Sequence, residues 1–124
     1  MQTIFCLNIT LLVPVFDRLV SSLSFSYQKK IYSYYNSKDR LRCLAGKLLV
    51  DHIGQGKTIL YNEYNKPFFH DGPYFNLTHS GDFACLAVSE NSLLGIDIEK
   101  QKYGDYLAVA KAVFHPAELN FFLY

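Results

Sequence analysis

Cysteine is scarce in this chain, which has only Cys6, Cys43 and Cys85 among its 124 residues. Their odd number and wide spacing fit neither a disulfide framework nor the paired ligands of a zinc site. Cysteines of this kind are typical of a reducing compartment, and we therefore predict a cytoplasmic protein.

The chain also lacks an excess of positive or negative charge, since its formal net charge is only +1. No global field would therefore draw the chain to nucleic acid or to a membrane surface, and we expect neither as a partner. Any cationic site has to be local.

A long apolar run is also missing. The best candidate, Ile4–Phe16, is interrupted by Asn8, Thr10 and Pro14. It is too short to span a bilayer, and it lacks the basic residues and the small-residue cleavage pattern of a signal peptide. We expect neither a membrane segment nor a targeting signal here.

Apolar side chains are plentiful, at 50% of the chain with ten Phe and ten Tyr, which is ample for the core of one domain. Predicted strands and helices do not alternate regularly, and this favours the α+β class. We expect Ser37 to cap the third helix and Gly54 to end it. The predicted strands are 3–13, 58–64, 74–78, 83–89 and 93–99, and the helices are 15–23, 26–35, 38–53 and one beginning near Asp105.

A histidine and two carboxylates form the clearest chemical pattern. Residues 76–81 have the sequence Asn-Leu-Thr-His-Ser-Gly and place His79 in a small polar turn, and Asp97 and Glu99 follow it by 18 and 20 residues. On a strand, the i, i+2 spacing puts both carboxylates on one face. They repel unless a cation lies between them, and Mg²⁺ takes oxygen ligands of this kind together with phosphates. The pattern predicts a Mg²⁺–phosphate site.

Four segments in order carry a resemblance to a known family. Residues 75–80 resemble the histidine motif of the 4′-phosphopantetheinyl transferases, and residues 95–100 resemble their metal-binding motif. Upstream, residues 65–67 (Asn-Lys-Pro) resemble the Gly-Lys-Pro element with Asn replacing Gly, and residues 39–49 resemble the Arg-rich helix before it. The order matches the larger, two-lobed class, because the acidic strand of the small trimeric class lies near its N-terminus.

This resemblance implies an α+β phosphopantetheinyl transferase fold, with a mixed or antiparallel sheet and packed helices. Residues 1–92 would form a complete N-terminal lobe, and residues 93–124 would begin a second, truncated lobe. The family's Trp-x-x-Lys-Glu element, which brings a third carboxylate and a lysine, does not occur in this chain, which has no Trp.

The resemblance also implies an enzyme that moves the 4′-phosphopantetheine arm of coenzyme A to a serine of an apo acyl or peptidyl carrier protein, with Mg²⁺, and releases 3′,5′-ADP. The residues expected to bind coenzyme A are Arg42, Lys66, Pro67, Thr78 and His79.

The resemblance also implies the metal ligands, the catalytic residues and a further phosphate contact. Asp97 and Glu99 would hold Mg²⁺ and, with His79, form the catalytic set, while Lys29 or Lys30 would be a further phosphate contact. Singly, each residue also has a structural interpretation: the histidine as a turn residue, the carboxylates as the solvated face of an edge strand. Their joint occurrence in order favours the site.

Two alternatives stay open. In the first, the chain is a non-catalytic homologue, or a fragment that is active only when a partner chain completes it. In the second, self-association supplies the second lobe in trans. The latter predicts a dimer that buries Phe121–Tyr124.

Overall fold

The computed structural model describes residues 2–91 and 95–96 of the chain, so most of the predicted second lobe, 93–124, lies outside the described residues. The described part contains both helices and antiparallel strands, which confirms the α+β class. The elements are β1 (Gln2–Asn8), a 3₁₀ segment (Ile9–Val15), α1 (Phe16–Ser21), α2 (Phe25–Ser33), α3 (Ser37–Gly54), β2 (Leu60–Tyr61), β3 (Pro67–Phe68), β4 (Tyr74–Ser80) and β5 (Phe83–Ser89).

The main sheet has three antiparallel strands in the order β1-β5-β4. Ser89 lies opposite both Gln2 and Tyr74, so all three strands are in register over their seven residues. Gly81, with φ of +56°, lies in the tight turn between β4 and β5. A separate two-stranded ribbon pairs β2 with β3.

One face of the main sheet packs on the helices. Along β4 the side chains alternate, so Phe75, Leu77 and His79 share a face. Leu77 meets α3 at Gly46, where a Cβ built on the glycine would lie only 2.8 Å from Leu77 Cδ2. Helix α3 therefore lies directly over β4 and β5, and its buried residues join the core: Leu44, Ala45, Leu49 and Val50 pack with Ile9, Leu12, Val20, Ile31, Phe69, Phe75, Ala84 and Leu86.

The long helix matches its predicted bounds to within one residue, but its caps differ. Asn36, not Ser37, is the N-cap, and its side-chain oxygen accepts a hydrogen bond from the Lys38 backbone N–H at 2.8 Å. At the other end Gly54 is still helical, and Gln55 takes the left-handed conformation, with φ of +47°. At each end of the helix, the capping residue lies one position beyond the predicted one: Asn36 instead of Ser37, and Gln55 instead of Gly54.

Two predicted strands were too long. The first ends at Asn8, because the Asn8 side chain accepts the Thr10 N–H at 3.0 Å and turns the chain into the 3₁₀ segment. The 58–64 strand shrinks to Leu60–Tyr61, because Asn62 Oδ1 accepts the N–H groups of Tyr64 and Lys66, each at 2.9 Å. In both places an asparagine side chain competes with the strand ladder for backbone N–H groups.

The prediction that the cysteines do not pair was wrong. Cys6 and Cys85 form a disulfide, and Cys43 is free. They are far apart in sequence, but the antiparallel register of β1 and β5 sets them directly opposite one another. The cysteine pattern therefore carries no argument about the compartment.

The described residues contain no helix that is both long enough and apolar enough to cross a bilayer.

Gly54→Ala tests the close packing at the end of α3. A Cβ at Gly54 would lie 2.7 Å from Phe69 Cζ, and the Phe69 ring is buried against Phe75 with 5.2 Å between centroids. Because this ring has little room to move, we expect the free energy of unfolding in urea to fall by about 1–3 kcal/mol.

Gly46→Ala is the matched control. Its Cβ would press only on the end of the flexible Leu77 side chain, and Ala favours a helix interior over Gly by about 1 kcal/mol. We expect a near-neutral change. Equal losses in the two variants, or a gain for Gly54→Ala, would contradict this packing account.

Candidate functional site

A cavity of about 240 Å³ lies between α2, α3, the end of β4 and the β2–β3 ribbon. Arg42, Pro67 and His79, which the sequence singled out from three separate segments, all line it. The fold therefore brings together residues that are up to 37 positions apart in the chain.

Arg42 is fixed by the turn between β4 and β5. Its Nε and Nη2 donate to the Gly81 carbonyl at 3.1 and 3.0 Å, and its Nη1 donates to Asp39 Oδ1 at 2.8 Å. The side chain is 20% exposed. A guanidinium has five N–H donors, so this arrangement orients Arg42 at the cavity and leaves donors for a ligand.

His79 occupies the strand β4 and not the predicted turn, with Ala84 opposite it on β5. It shares the helix-facing side of β4 with Leu77, and both line the cavity. Its side chain is exposed. Because Gly81 follows it by two residues, the contact between Arg42 and Gly81 also brings Arg42 to the end of the strand that carries His79.

Thr78 does not join His79 in the cavity. Neighbouring residues of a strand point to opposite faces, so Thr78 shares the other face of β4 with Asn76 and Ser80. The Thr78 side chain is not among the residues that line the cavity, and it has an interaction of its own in the described structure.

The Asn-Lys-Pro segment closes one side of the cavity through its two outer members. Asn65 and Pro67 line the wall, while Lys66 is exposed and does not line this cavity in the described structure. Asn65 has a positive φ of 62°. Asparagine tolerates this conformation better than most residues, which explains how it replaces the glycine of the element that the segment resembles.

Lys29 and Lys30, which the sequence analysis left as alternatives, point in different directions. Lys30 lines the cavity, with Nζ 5.1 Å from the Tyr27 ring centroid and 6.0 Å from that of Tyr61. Lys29 lies over the exposed ring of Phe25, at 5.6 Å, outside the cavity lining. Of the two lysines, only Lys30 lines the cavity.

Lys47 lines the same cavity, and the sequence analysis did not select it. Its Nζ lies 4.9 Å from the Tyr27 ring centroid and 2.9 Å from Asp51 Oδ1. A signal for it was present, because residues three, four or eight positions apart on a helix share a face. Asp39 lies three positions before Arg42 and Gly46 four positions after it, so they share its helix face. Lys47, eight positions after Asp39, lies at the edge of the same face, which lines the cavity.

The cavity is cationic and partly aromatic. Lys30, Arg42 and Lys47 line it, and Asp39 is its one lining carboxylate among the described residues. Its aromatic walls are Tyr27, Tyr34 and Tyr61. Cations together with flat apolar walls suit an anionic ligand that also carries a ring.

A second cavity, of about 410 Å³, lies at the other end of the described fold. It is larger, but none of the described residues that line it is a lysine or arginine, and Glu90 contributes a carboxylate. His52, which also lines it, packs edge-on to Phe5 at 5.4 Å between ring centroids. An anion would therefore prefer the smaller cavity.

Asp97 and Glu99 lie outside the described residues. The residue before them, Ile96, donates its backbone N–H to Asn76 Oδ1 at 3.2 Å, on the face of β4 away from His79. Two carboxylates are suitable donors for Mg²⁺. Within residues 2–91 and 95–96, no group of three or more His, Cys, Asp or Glu side chains is arranged to hold a metal.

Cys43 and Tyr27 form a half-buried pair at the cavity. Burial raises the pKa of Cys43, an effect that nearby Lys30 and the side-chain hydrogen bond to Tyr27 partly oppose. Burial is also the main cause that raises the pKa of Tyr27, with Cys43 adding to it. Both groups therefore stay neutral near pH 7.

These shifts predict a loss of stability at alkaline pH. The native state holds the Cys43 proton more tightly than the unfolded chain does, so stability is fully present below the unfolded thiol pKa, about 8.5, and falls as pH rises above it. We expect the urea midpoint to fall between about pH 8 and 10, and to fall less in Cys43→Ala.

Cys43→Ser is the matched control for that measurement, because serine keeps a hydrogen-bonding partner for Tyr27 but does not titrate. It should show the same reduced pH dependence as Cys43→Ala. Identical pH dependence in the wild type and both variants would show that the thiol is not the titrating group.

No protein-family model matches the chain. The 4'-phosphopantetheinyl transferase gsp of Aneurinibacillus migulanus is 37% identical over 112 residues, covering 84% of this chain and 46% of the relative. The transferase Sfp of Bacillus subtilis strain 168 is 32% identical over 114 residues, covering 84% and 50%. The transferase AcpT of Escherichia coli K12 is 39% identical over 83 residues, covering 64% and 43%. The chain spans about half the length of the curated relatives it matches.

Proposed function

Because the chain belongs to the 4′-phosphopantetheinyl transferase superfamily and resembles its surfactin-activating class, we propose that it acts in transferring the 4′-phosphopantetheine arm of coenzyme A to a serine of an apo carrier protein in the cytoplasm. The observation that carries this proposal is the cationic, aromatic cavity in which Arg42, Lys30 and His79 meet. Such a cavity suits the adenosine-phosphate end of coenzyme A.

Arg42 is the anchor of the proposed ligand. Its contacts with Gly81 and Asp39 use three of its N–H donors and hold the remaining ones in a fixed direction. Charge-assisted hydrogen bonds from a guanidinium to phosphate are short and strong. Lys30 adds a second cation, and His79 offers a ring nitrogen to a phosphate oxygen from the end of β4.

The proposed chemistry is phosphoryl transfer. The hydroxyl of the carrier serine releases its proton to water, and its oxygen forms a bond to the β-phosphorus of coenzyme A. The bond from that phosphorus to the bridging oxygen breaks, and 3′,5′-ADP leaves with that oxygen on its 5′-phosphate. Asp97 and Glu99 would hold Mg²⁺, which when bound neutralises charge on the pyrophosphate. The cavity residues bind and orient the part of coenzyme A that leaves.

A second candidate function is binding of coenzyme A without transfer. It needs only the cationic cavity, whose described lining suits phosphates through Lys30, Arg42 and Lys47 and holds Asp39 as its one carboxylate. A partner chain, or a second copy of this one, would then complete the catalytic set.

Intact-mass spectrometry of a carrier protein tests transfer directly. We expect the purified chain, with coenzyme A and Mg²⁺, to add one phosphopantetheine to an apo carrier, and Arg42→Ala and His79→Ala each to slow the addition by at least about 10-fold, as expected for the loss of a charge-assisted phosphate contact. Lys29→Ala, which removes a cation outside the cavity, should leave the rate unchanged.

The outcomes separate the two candidates. No addition to any of several carriers, with coenzyme A binding intact and weakened in Arg42→Ala, would favour the binding function. Unchanged coenzyme A affinity in both Arg42→Ala and His79→Ala would remove the phosphate-site assignment altogether.

Asp97→Ala tests the metal assignment. Because the carboxylate would hold Mg²⁺ against the pyrophosphate, we expect the variant to lose most of the increase in coenzyme A affinity that Mg²⁺ gives, measured by calorimetry with and without EDTA. Glu90→Ala, which removes an exposed carboxylate after β5, is the control. If Asp97→Ala keeps the full effect of Mg²⁺, the assignment is wrong.

A further inference from the structure

Asn76 lies on the face of β4 that points away from the cavity. Side chains alternate along a strand, so Asn76 and His79, three residues apart, are on opposite faces. The Asn76 side chain is half-buried, and its Oδ1 accepts the backbone N–H of Ile96 at 3.2 Å. This contact spans 20 residues of sequence and brings the chain back to the sheet immediately before Asp97.

The chain returns to this face along a path that begins at the end of β5. Asn76 lies directly opposite Ala87 in the sheet, and Ser89, two residues after Ala87, shares the same face. The first step of the return is a hydrogen bond from the Asn91 N–H to Oγ of the buried Ser89, at 3.3 Å. Two side-chain oxygens on one face of the sheet therefore hold the chain on its way from β5 to Ile96.

The hydrogen bond to Asn76, and not close packing of the residue before it, fixes this return. Gly95 is exposed, and a Cβ built on it would meet no heavy atom within 4 Å. The Ile96 N–H, by contrast, donates a part-buried hydrogen bond. A backbone N–H that is taken out of water and left without a partner costs free energy, so removing the Asn76 oxygen should release the chain at Ile96.

We propose that Asn76 is a positioning residue, whose side-chain oxygen holds the backbone at Ile96 and so restricts where the next residue, Asp97, can lie. Consecutive Cα atoms are only about 3.8 Å apart, so fixing one residue limits its neighbour. This inference rests on the proposed function, in which Asp97 holds Mg²⁺.

Under this proposal β4 serves both parts of the site. His79 faces the phosphate-binding cavity from one side of the strand, and Asn76 anchors the carboxylate segment on the other. Because β4 is an edge strand of the sheet, a chain that is held on its outer face has access to the cavity side around the free edge. Partners that orient a metal ligand from outside the coordination shell commonly change metal affinity by about 10- to 100-fold.

A purely structural role for Asn76 makes a different prediction. If the hydrogen bond only stabilises the fold, Asn76→Leu should weaken coenzyme A binding to the same extent with and without Mg²⁺, or leave both unchanged. If Asn76 positions Asp97, only the part of the affinity that depends on Mg²⁺ should fall, because Asn76 does not line the cavity.

The experiment is calorimetric binding of coenzyme A to the full chain, in EDTA and in Mg²⁺. The readout is the ratio of the two dissociation constants. We expect Asn76→Leu to lower this ratio by about 10-fold and to keep the wild-type affinity in EDTA. Asn76→Asp, which retains an acceptor oxygen at the same position, should keep at least the wild-type ratio. Gly95→Ala, the matched control in the same segment, should keep it too.

Amide hydrogen exchange at Ile96, measured by NMR without ligand, tests the hydrogen bond itself. We expect exchange to be about 10-fold faster in Asn76→Leu, as for the loss of one hydrogen bond. Asn76→Asp and Gly95→Ala should retain the wild-type protection of this amide.

Each outcome bears on a defined claim. Unchanged exchange in Asn76→Leu, a wild-type Mg²⁺ ratio in that variant, or equal losses in Asn76→Leu and Asn76→Asp overturns the role of Asn76 and leaves the proposed function standing. If Mg²⁺ has no effect on the wild type, the metal assignment fails and this inference fails with it. If circular dichroism shows that Asn76→Leu is unfolded, Asn76→Ala replaces it, with the same expected ratio.

Discussion

The paired hydrogen bonds from Arg42 to the Gly81 carbonyl are the interaction on which the site depends. They join the first half of α3 to the turn that ends β4, across 39 residues of sequence. Because Leu77 also contacts α3 at Gly46, the helix and the strand are held at two points. His79 lies between these points on the strand, so the same contacts that fix the fold bring it to the cavity.

Charge gives the cavity its chemical character. The whole chain is nearly neutral, with a formal net charge of +1, yet Lys30, Arg42 and Lys47 all line one cavity of about 240 Å³. Tyr27 stays neutral against the two lysines because burial raises its pKa. Net charge therefore says little about binding here, since the local grouping of cations by two helices decides which ligands the cavity favours.

Local patterns in the sequence predicted much of this, and the failures have physical causes. Arg42 and His79 were predicted because their motifs are continuous in sequence, and the fold sets both at one cavity. Lys47 lies in the same helix motif as Arg42, but its place at the cavity is indicated only when the residues of one helix face are considered together. Thr78 was grouped with His79 because the family resemblance implied both as coenzyme A contacts, and strand alternation places them on opposite faces of β4. The disulfide depends on the register of two strands that are far apart in sequence, which no local pattern shows.

The most direct test of the central claim is to locate where the ligand binds. Isotope-labelled protein would be titrated with 3′,5′-ADP and followed by NMR chemical shifts. The account predicts saturable shifts that cluster at Lys30, Arg42 and His79 around the smaller cavity. Shifts that cluster instead around His52 and Pro73 at the larger cavity, or no shifts at millimolar ligand, would contradict it.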